Sequence, residues 1–525
     1  MNPAGVSPAG FFIGRTGKEE CRVVRMGQKR IKKLVIAGGG TAGWITAAAF
    51  SRLLGKSLDI HLVESEEIGI VGVGEATIPQ IIRLNHMLGL DENEFLRRTY
   101  GTFKLGIEFV DWGRLGSRYL HTFGDTGINL ANLHFHQYWL RYRQAGGENS
   151  LWDYSLHQQA ADDNKFARMD RVGSSPMGGL AYAFHFDAAL YAAYLREYAE
   201  AQGVRRTEGI IASVERTTED GGIAALKLED GTRIEGDFFI DCTGFRAFLI
   251  GQELKTDYQD WTHWLPCNRA IAVPSEKLSP LPPFTRATAK SAGWQWRIPL
   301  QHRTGNGHVF SNEFMSEDEA TAILLDGLEG EALSDPRTLK FTTGRRETFW
   351  EKNCVAIGLS SGFLEPLEST SIHLIQSNVS RLISLFPRDG LHSADIDEYN
   401  RRTAAEFEQV RDFLILHYHQ TEREDSPFWQ HCRNMEVPEP LNEKMALFRA
   451  SGRIGRDVDD LFRDTSWMQV MLGQGIEPQD YHPMADNITD AQLDEFLRNV
   501  RAIIDNAVTP LPSHEDFIKK FCDAG

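Results

Sequence analysis

The stretch Lys33-Leu-Val-Ile-Ala-Gly-Gly-Gly-Thr-Ala-Gly-Trp44 constrains this chain more than any other part of it. An apolar run leads into Gly38-x-Gly40-x-x-Gly43 and then into small residues that suit a helix. This spacing predicts strand, tight turn and helix. Gly38 permits the turn, Gly40 lets a pyrophosphate approach the backbone, and Gly43 lets the helix pack closely on the strand. Thr41 and Ala42 then fall in the first helical turn, where free N–H groups and the positive dipole end favour an anion. A second apolar run, residues 58–64, closes on Glu64, where a βαβ unit carries its ribose-binding acid. Strand, turn, helix and acid in this order predict a Rossmann-like α/β dinucleotide-binding unit.

A chain of 525 residues can bury a large core and is expected to hold two or more lobes. Its formal net charge of −17 argues against a general nucleic-acid binder, because phosphate binding needs a basic surface. No uninterrupted apolar run reaches spanning length, so no membrane helix is expected. The cysteines at 21, 242, 267, 354, 432 and 522 form no CxxC pair, and reduced thiols in a cytoplasmic protein are the simplest account of them. Residues 1–30 carry Gly, Pro and basic residues without the apolar stretch of a secretory signal, and read as a disordered tail.

Further along, residues 71–79 form a second Gly-rich loop. Its Gly74, Glu75 and Ala76 are expected to touch the same cofactor. Phe103, Leu105, Ile107 and Phe109 alternate with Lys104, Gly106 and Glu108, a strand-like pattern. Residues 112–180, rich in aromatics and His, read as an excursion from the nucleotide unit, and residues 186–198 as a helix. Residues 237–244 read as a buried strand ending in a Gly turn. Residues 354–358 are another, leading through Gly358 and Leu359 into a loop that closes at Thr370. A helix follows, marked by Ile375, Val379, Leu382, Ile383 and Phe386. Beyond 395 the reading is mainly helical: Phe407, Val410 and Leu414 mark one helix, and Leu493, Phe496, Leu497, Val500 and Ile504 another. The expected division is a cofactor domain of residues 31–110 plus 180–395, and a mainly helical substrate lobe of residues 111–179 plus 396–525.

Several residues are chemically suggestive. Thr370 and Ser371 stand at a helix start, a natural place for a small anion. Glu365 and Glu368 bracket Pro366, and a carboxylate there could serve as a base. Spacing equally allows Glu368 and Ser369 simply to cap the helix. Lys104 on its own reads as a solvated lysine. It gains interest only if its face lines a cavity, where burial lowers an amine's pKa and a nearby Glu raises it. Trp294 and Trp296 share one side of a strand, consistent with core packing or with a wall. His121 and Phe123 share a face that would stack on a flat substrate. His134 with His136, and His417 with His419, have no obvious third ligand, so no metal is expected.

Together these residues resemble the flavin-dependent tryptophan halogenase family, from about residue 31 to 480. The likeness rests on the Gly38–Gly43 unit with Trp44, on Gly74-Glu-Ala-Thr-Ile-Pro79, on Trp294-x-Trp-x-Ile-Pro299 and on Phe363-Leu-Glu-Pro-Leu-Glu-Ser-Thr370. Lys104 falls where that family keeps an essential lysine. The resemblance implies a glutathione-reductase-type FAD-binding fold of the flavin monooxygenase kind, with an added helical lobe. It implies FADH2 from a separate NADH-dependent flavin reductase, O2, and chloride or bromide. Hypohalous acid would pass to Lys104, with Glu368 beside it orienting the electrophile and removing the ring proton. Thr370 and Ser371 would supply backbone donors for the halide. His121, Phe123, Ser369, Phe462 and Trp467 would contact the substrate, and a homodimer is a family-level expectation. Ser371 departs from the family's usual Gly. Residues 455–467 lack the Tyr-rich stretch with which members acting on free tryptophan clamp the amino acid, so within the indole or tryptophan-like class the resemblance implies, indole or a larger indole or phenol is at least as good a candidate as free tryptophan.

Two other readings share the Gly-rich opening. A single-component NAD(P)H-dependent aromatic hydroxylase would usually carry Gly-Asp and then Ala-Ala-His after the late strand, where this chain has Gly358-Leu-Ser-Ser-Gly. A non-catalytic flavin-binding protein would have no need of Lys104 and Glu368.

Overall fold

The computed structural model describes residues 30–67, 74–455 and 460–525. The N-terminal tail up to residue 29, residues 71–73 of the second Gly-rich loop and residues 456–459 of the C-terminal substrate segment lie outside the described residues.

The strand Lys33–Ala37 sits centrally in a six-stranded sheet. Asp59–Glu64 pairs with it in parallel on one side and Phe238–Asp241 on the other. Cys354–Ala356 extends the parallel set, and Trp350–Glu351 closes that edge as an antiparallel hairpin. Leu34, Val35, Ile36 and Ala37 are all buried, as expected of a parallel strand covered on both faces. The helices Thr41–Leu54 and Ala188–Ala201 pack against each other beside this sheet. The second helix begins later than its apolar pattern indicates. Phe186 belongs to the strand Ala183–Asp187, and the Asp187 side chain caps the helix by accepting from the N–H groups of Ala189 and Leu190.

A seven-stranded sheet stands apart from the first. Its order is Arg337–Lys340, Arg269–Ser275, Thr304–Phe310, Gly293–Pro299, Thr285–Lys290, Gly106–Val110 and Arg118–Thr122. All neighbours are antiparallel except Thr285–Lys290 with Gly106–Val110. Arg118–Thr122, the first regular element of the expected excursion, forms its edge.

The alternating run through Lys104 is not one strand. Thr102–Lys104 pairs with Ala183–Asp187 in a small three-stranded sheet, whereas Gly106–Val110 joins the seven-stranded sheet. The break is at Leu105, whose N–H reaches Pro283 O and whose carbonyl accepts from Phe123 N. Because the run passes between two sheets, both its faces are covered, and Lys104 and Glu108 are buried with the apolar residues.

The helix Ser371–Ser384 buries Ile375, Val379 and Leu382 and ends before Phe386, whose ring packs edge-on against Phe50 and Phe238. The C-terminal part is helical. Ser393–His419 buries Phe407, Val410 and Leu414, and Asp490–Val508 buries Leu493, Leu497, Val500 and Ile504. One continuous apolar core joins both large sheets to these helices. Among the described residues no helix is long and apolar enough to cross a membrane. The five described cysteines are unpaired and buried.

Candidate active site

The glycines of the first turn act as their spacing predicts, each for a separate reason. Gly38 has φ +106°, and a Cβ there would stand 2.2 Å from Cys242 O. A Cβ at Gly43 would stand 1.9 Å from Gly38 O, so this position holds helix against turn. At Gly40 a Cβ would meet nothing within 4 Å. That open space belongs to a cavity of about 930 Å³ lined by Gly38, Gly40, Thr41, Ala42 and Glu64. Glu75, Ala76, Gly358 and Leu359 also line it, whereas Gly43 does not. Glu64 is fixed by Arg206 Nε at 2.5 Å and by the indole N–H of Trp44 at 3.3 Å.

Trp294 and Trp296 face the same cavity from the seven-stranded sheet. Trp294 donates its indole N–H to Glu365 Oε2 at 2.9 Å, and the Tyr418 hydroxyl donates to that oxygen at 2.6 Å. Burial pushes the Glu365 carboxyl up to about 7, against the pull of these two donors. Burial likewise raises Glu75 to about 7. The cavity suits a flavin dinucleotide. The backbone meets open space at Gly40, an acid stands one strand away, and apolar and indole walls complete it.

Lys104 is 0% exposed. Its ammonium donates to Ser369 Oγ at 2.7 Å and to Thr77 O at 3.0 Å, and lies 5.2 Å from the centroid of the Phe123 ring. Burial lowers its pKa to about 7, with the Glu368 charge opposing that shift. Glu368, 1% exposed, does not bond Lys104 directly; Ser369 takes that place. The Glu368 carboxylate accepts from His121 Nδ1 at 2.9 Å and lies 2.9 Å from His417 Nε2. Burial alone would raise this carboxyl. The charge and hydrogen bond of His121 and the contact with His417 outweigh it and hold the group at about 2. Of the two acids around Pro366, Glu368 therefore senses the lysine, and Glu365 turns to Trp294 and Tyr418.

Ser369 has φ +58° in the left-handed region, at a cost of roughly 1–3 kcal/mol for a residue with a Cβ. That conformation places its hydroxyl on Lys104 while the residue also lines the large cavity. Ser369 thus stands between the cavity and the buried amine. The helix Ser371–Ser384 starts just beyond, with Thr370 at its N-cap. Its first N–H groups have no intrahelical acceptor. Ser371 lines the cavity; Thr370 is fully buried beside it, and its hydroxyl has no partner.

On the far side of Glu368 stands an aromatic cluster. Phe462 stacks on Phe413 at 3.8 Å between centroids, Trp467 meets Phe413 edge-on at 4.8 Å, and His121 lies 5.7 Å from it. Trp467 donates to Asp460 Oδ2 at 3.1 Å, and Lys444 Nζ lies 3.1 Å from that same oxygen. Phe123 follows the strand carrying His121 rather than sharing it, since that strand ends at Thr122.

Sequence reasoning did not place Phe413 or His417 here. His417 was weighed only as half of a metal pair with His419, but its Nδ1 donates to Phe413 O at 2.8 Å. His136 Nε2 donates to Gly452 O at 2.7 Å. Among the described residues no group of His, Cys, Asp and Glu is arranged to hold a metal. The available signal was helical spacing, which puts His417 one turn beyond Phe413 on an apolar face.

The fold and cavity are those of a flavoprotein of mixed α/β architecture, and comparison with known proteins narrows the class. The family model described as tryptophan halogenase matches residues 33–490, and this chain belongs to that family. It is 49% identical to Xcc4156, a flavin-dependent halogenase from Xanthomonas campestris, over 95% of this chain and 99% of that one, with a TM-score of 0.91. BrvH, a flavin-dependent halogenase from Brevundimonas sp. BAL3, is 46% identical over 94% of this chain and 99% of its own, with a TM-score of 0.90. Tryptophan 6-halogenase SttH from Streptomyces toxytricini is 34% identical, covering 86% of this chain and 90% of SttH. The protein is a flavin-dependent halogenase. It uses FADH2 supplied by a separate flavin reductase, together with halide, to halogenate an aromatic substrate.

Proposed function

We propose that halogen transfer takes place at Lys104, with Ser369 and Glu368 as its immediate partners, on an indole-type or phenolic arene that lacks a free amino-acid group. The observation that carries this reading is the buried amine joined through Ser369 to the lining of the flavin cavity. Bound reduced FAD supplies, with O2 and halide, the oxidised halogen as hypohalous acid. The residues that would hold the cofactor are Gly38, Gly40, Thr41, Ala42, Glu64, Glu75, Ala76, Gly358 and Leu359, with Gly43 and Gly74 shaping the backbone around them. Thr370 and Ser371 would present N–H groups to the halide.

Ser369 and Thr77 occupy two N–H groups of Lys104, and its third is left to hold the hypohalous oxygen. The ring carbon then forms the C–X bond as the O–X bond breaks; the leaving hydroxide takes a proton from the Lys104 ammonium that holds it and departs as water, and the displaced ring proton passes to Glu368, so that lysine and carboxylate together end with the protons they began with. A carboxylate held near 2 is a weak base, but a ring carrying a full positive charge is a strong acid, and position matters more than basicity. His121 and His417 keep Glu368 ionised and oriented. His121, Phe123, Phe462 and Trp467, with Phe413, supply apolar faces for an arene. Asp460 is already engaged by Lys444 and Trp467, which supports a substrate without an ammonium group. The same reading takes the protein to be cytoplasmic, in keeping with the five described cysteines being unpaired, and homodimeric.

The test is product analysis. With FAD, a reductase, NADH and chloride or bromide, an indole panel should give products with a two-isotope halogen signature in mass spectrometry. Lys104→Ala should lose at least about 100-fold in yield while binding FAD normally. Near-normal yield from that variant would remove Lys104 from the reaction.

A further inference from the structure

The seven-stranded sheet has a second face. Side chains alternate along each strand, so while Trp294 reaches the flavin cavity, Gln295 and Arg297 line the other face, and Trp296 borders both cavities. There they meet Arg286 and Lys290 of the neighbouring strand, in a separate cavity of about 380 Å³. Four cationic side chains, Arg118, Arg286, Lys290 and Arg297, line it against two carboxylates, Glu108 and Glu329. In a protein with a net charge of −17 this is a local reversal of sign.

The carboxylates are already shared. Glu108, 1% exposed, is held by Arg118 Nε at 2.5 Å and by Arg286 Nε. Glu329, on the loop after the helix Glu317–Asp326, reaches Arg286 Nη1 at 3.3 Å and Arg297 Nη1. Two buried donors are left over. Gln295 is 91% buried, and its Nε2 has no acceptor; neither has Arg297 Nε. Burial, and then the Arg286 charge, hold the Arg297 guanidinium below its ordinary value despite Glu329. An orphaned buried N–H costs about 1–3 kcal/mol, and a buried charge wants fuller pairing than Arg297 has.

From this surplus of donors and positive charge we infer an oxyanion-binding site on the face of the sheet opposite the flavin, taking a compact multivalent anion of the phosphate or polycarboxylate type. Two guanidinium groups and a side-chain amide present N–H groups of the kind that match clustered oxygens. Glu329 already shows the ligand chemistry, as one carboxylate of the chain bridging Arg286 and Arg297. A bound anion would accept from the cavity-lining guanidinium groups and Lys290, draw the Gln295 amide and Arg297 Nε into the same network by side-chain rotation, and tie together the strands that form the rear wall of the flavin chamber.

The experiment is calorimetric titration of FAD-saturated protein, so that the flavin's own phosphate cradle is filled. Inorganic phosphate and citrate are compared with chloride at matched ionic strength. Saturable binding by wild type, weakened about tenfold or more in Gln295→Leu and in Arg297→Gln, is the expected result. Which of the two anions binds distinguishes a phosphate from a polycarboxylate ligand. Gln295→Leu removes only a neutral group and keeps the test open if Arg297→Gln folds poorly. Heats no larger than those of chloride, or equal binding by wild type and Gln295→Leu, would overturn the inference and leave the cavity to water.

Discussion

The proposed chemistry rests on a few side chains made unusual by burial. Lys104 titrates at about 7 in the folded protein but near about 10.4 in the unfolded chain. Between those values the unfolded state binds the extra proton, so this residue makes stability rise with pH from 7 to about 10, and its burial costs most below pH 7. Replacing it by Met removes that dependence. In thermal melts the wild-type Tm should climb relative to Lys104→Met across this window; a constant difference would mean that the amine is not desolvated as described. Glu368 depends instead on its partners. Glu368→Gln keeps the shape but cannot take a ring proton, and halogenation should fall by about 100-fold with FAD affinity unchanged. His417→Phe removes one of the two histidines that hold the carboxylate, and should slow the reaction less, by about tenfold, under single-turnover conditions. A Glu368→Gln enzyme with wild-type rate would assign the proton to another base.

The elements were legible in proportion to how local their determinants are. The first strand, turn and helix follow from glycine spacing, and Gly38, Gly40 and Gly43 do three separable jobs. Gly40→Ala should leave the Tm of the cofactor-free protein nearly unchanged and weaken FAD binding by about tenfold, since its Cβ enters only the cavity. Gly43→Ala should lower the Tm markedly, since its Cβ collides with backbone. Equal effects of the two on folding would show that the turn is not built this way. The run through Lys104 was harder to read. Its alternation is real, but the switch between sheets at Leu105 depends on Pro283 and Phe123, contacts distant in sequence. Nothing local shows that the polar side of such a run is also covered. For the same reason Ser369, not Glu368, is the lysine's direct partner: a left-handed backbone at a non-glycine residue leaves no mark in the sequence. Phe413 and His417 lie on a helix whose periodicity was plain, but which wall that helix forms is set by tertiary packing.

At the scale of the molecule, the proposed mechanism separates making an oxidant from using it. Ser369 lines the dinucleotide cavity and accepts from the buried Lys104, while the neighbouring Glu368 meets His121, which packs on the aromatic cluster. A free oxidant in water would attack any electron-rich group, so a buried amine gives positional control. The reduced flavin comes from a separate reductase. Purified protein with NADH and an indole, but without reductase, should oxidise no NADH above the blank. Substrate-stimulated NADH consumption would return the single-component hydroxylase to consideration.

The account stands most directly on what happens to the oxidised halogen when the amine is gone. FAD-loaded Lys104→Ala, given a reductase, NADH, O2 and bromide, should still release hypohalous acid that a dissolved trap captures, while mass spectrometry finds no halogenated indole above background. A halogenated indole in wild-type yield from that variant would contradict it.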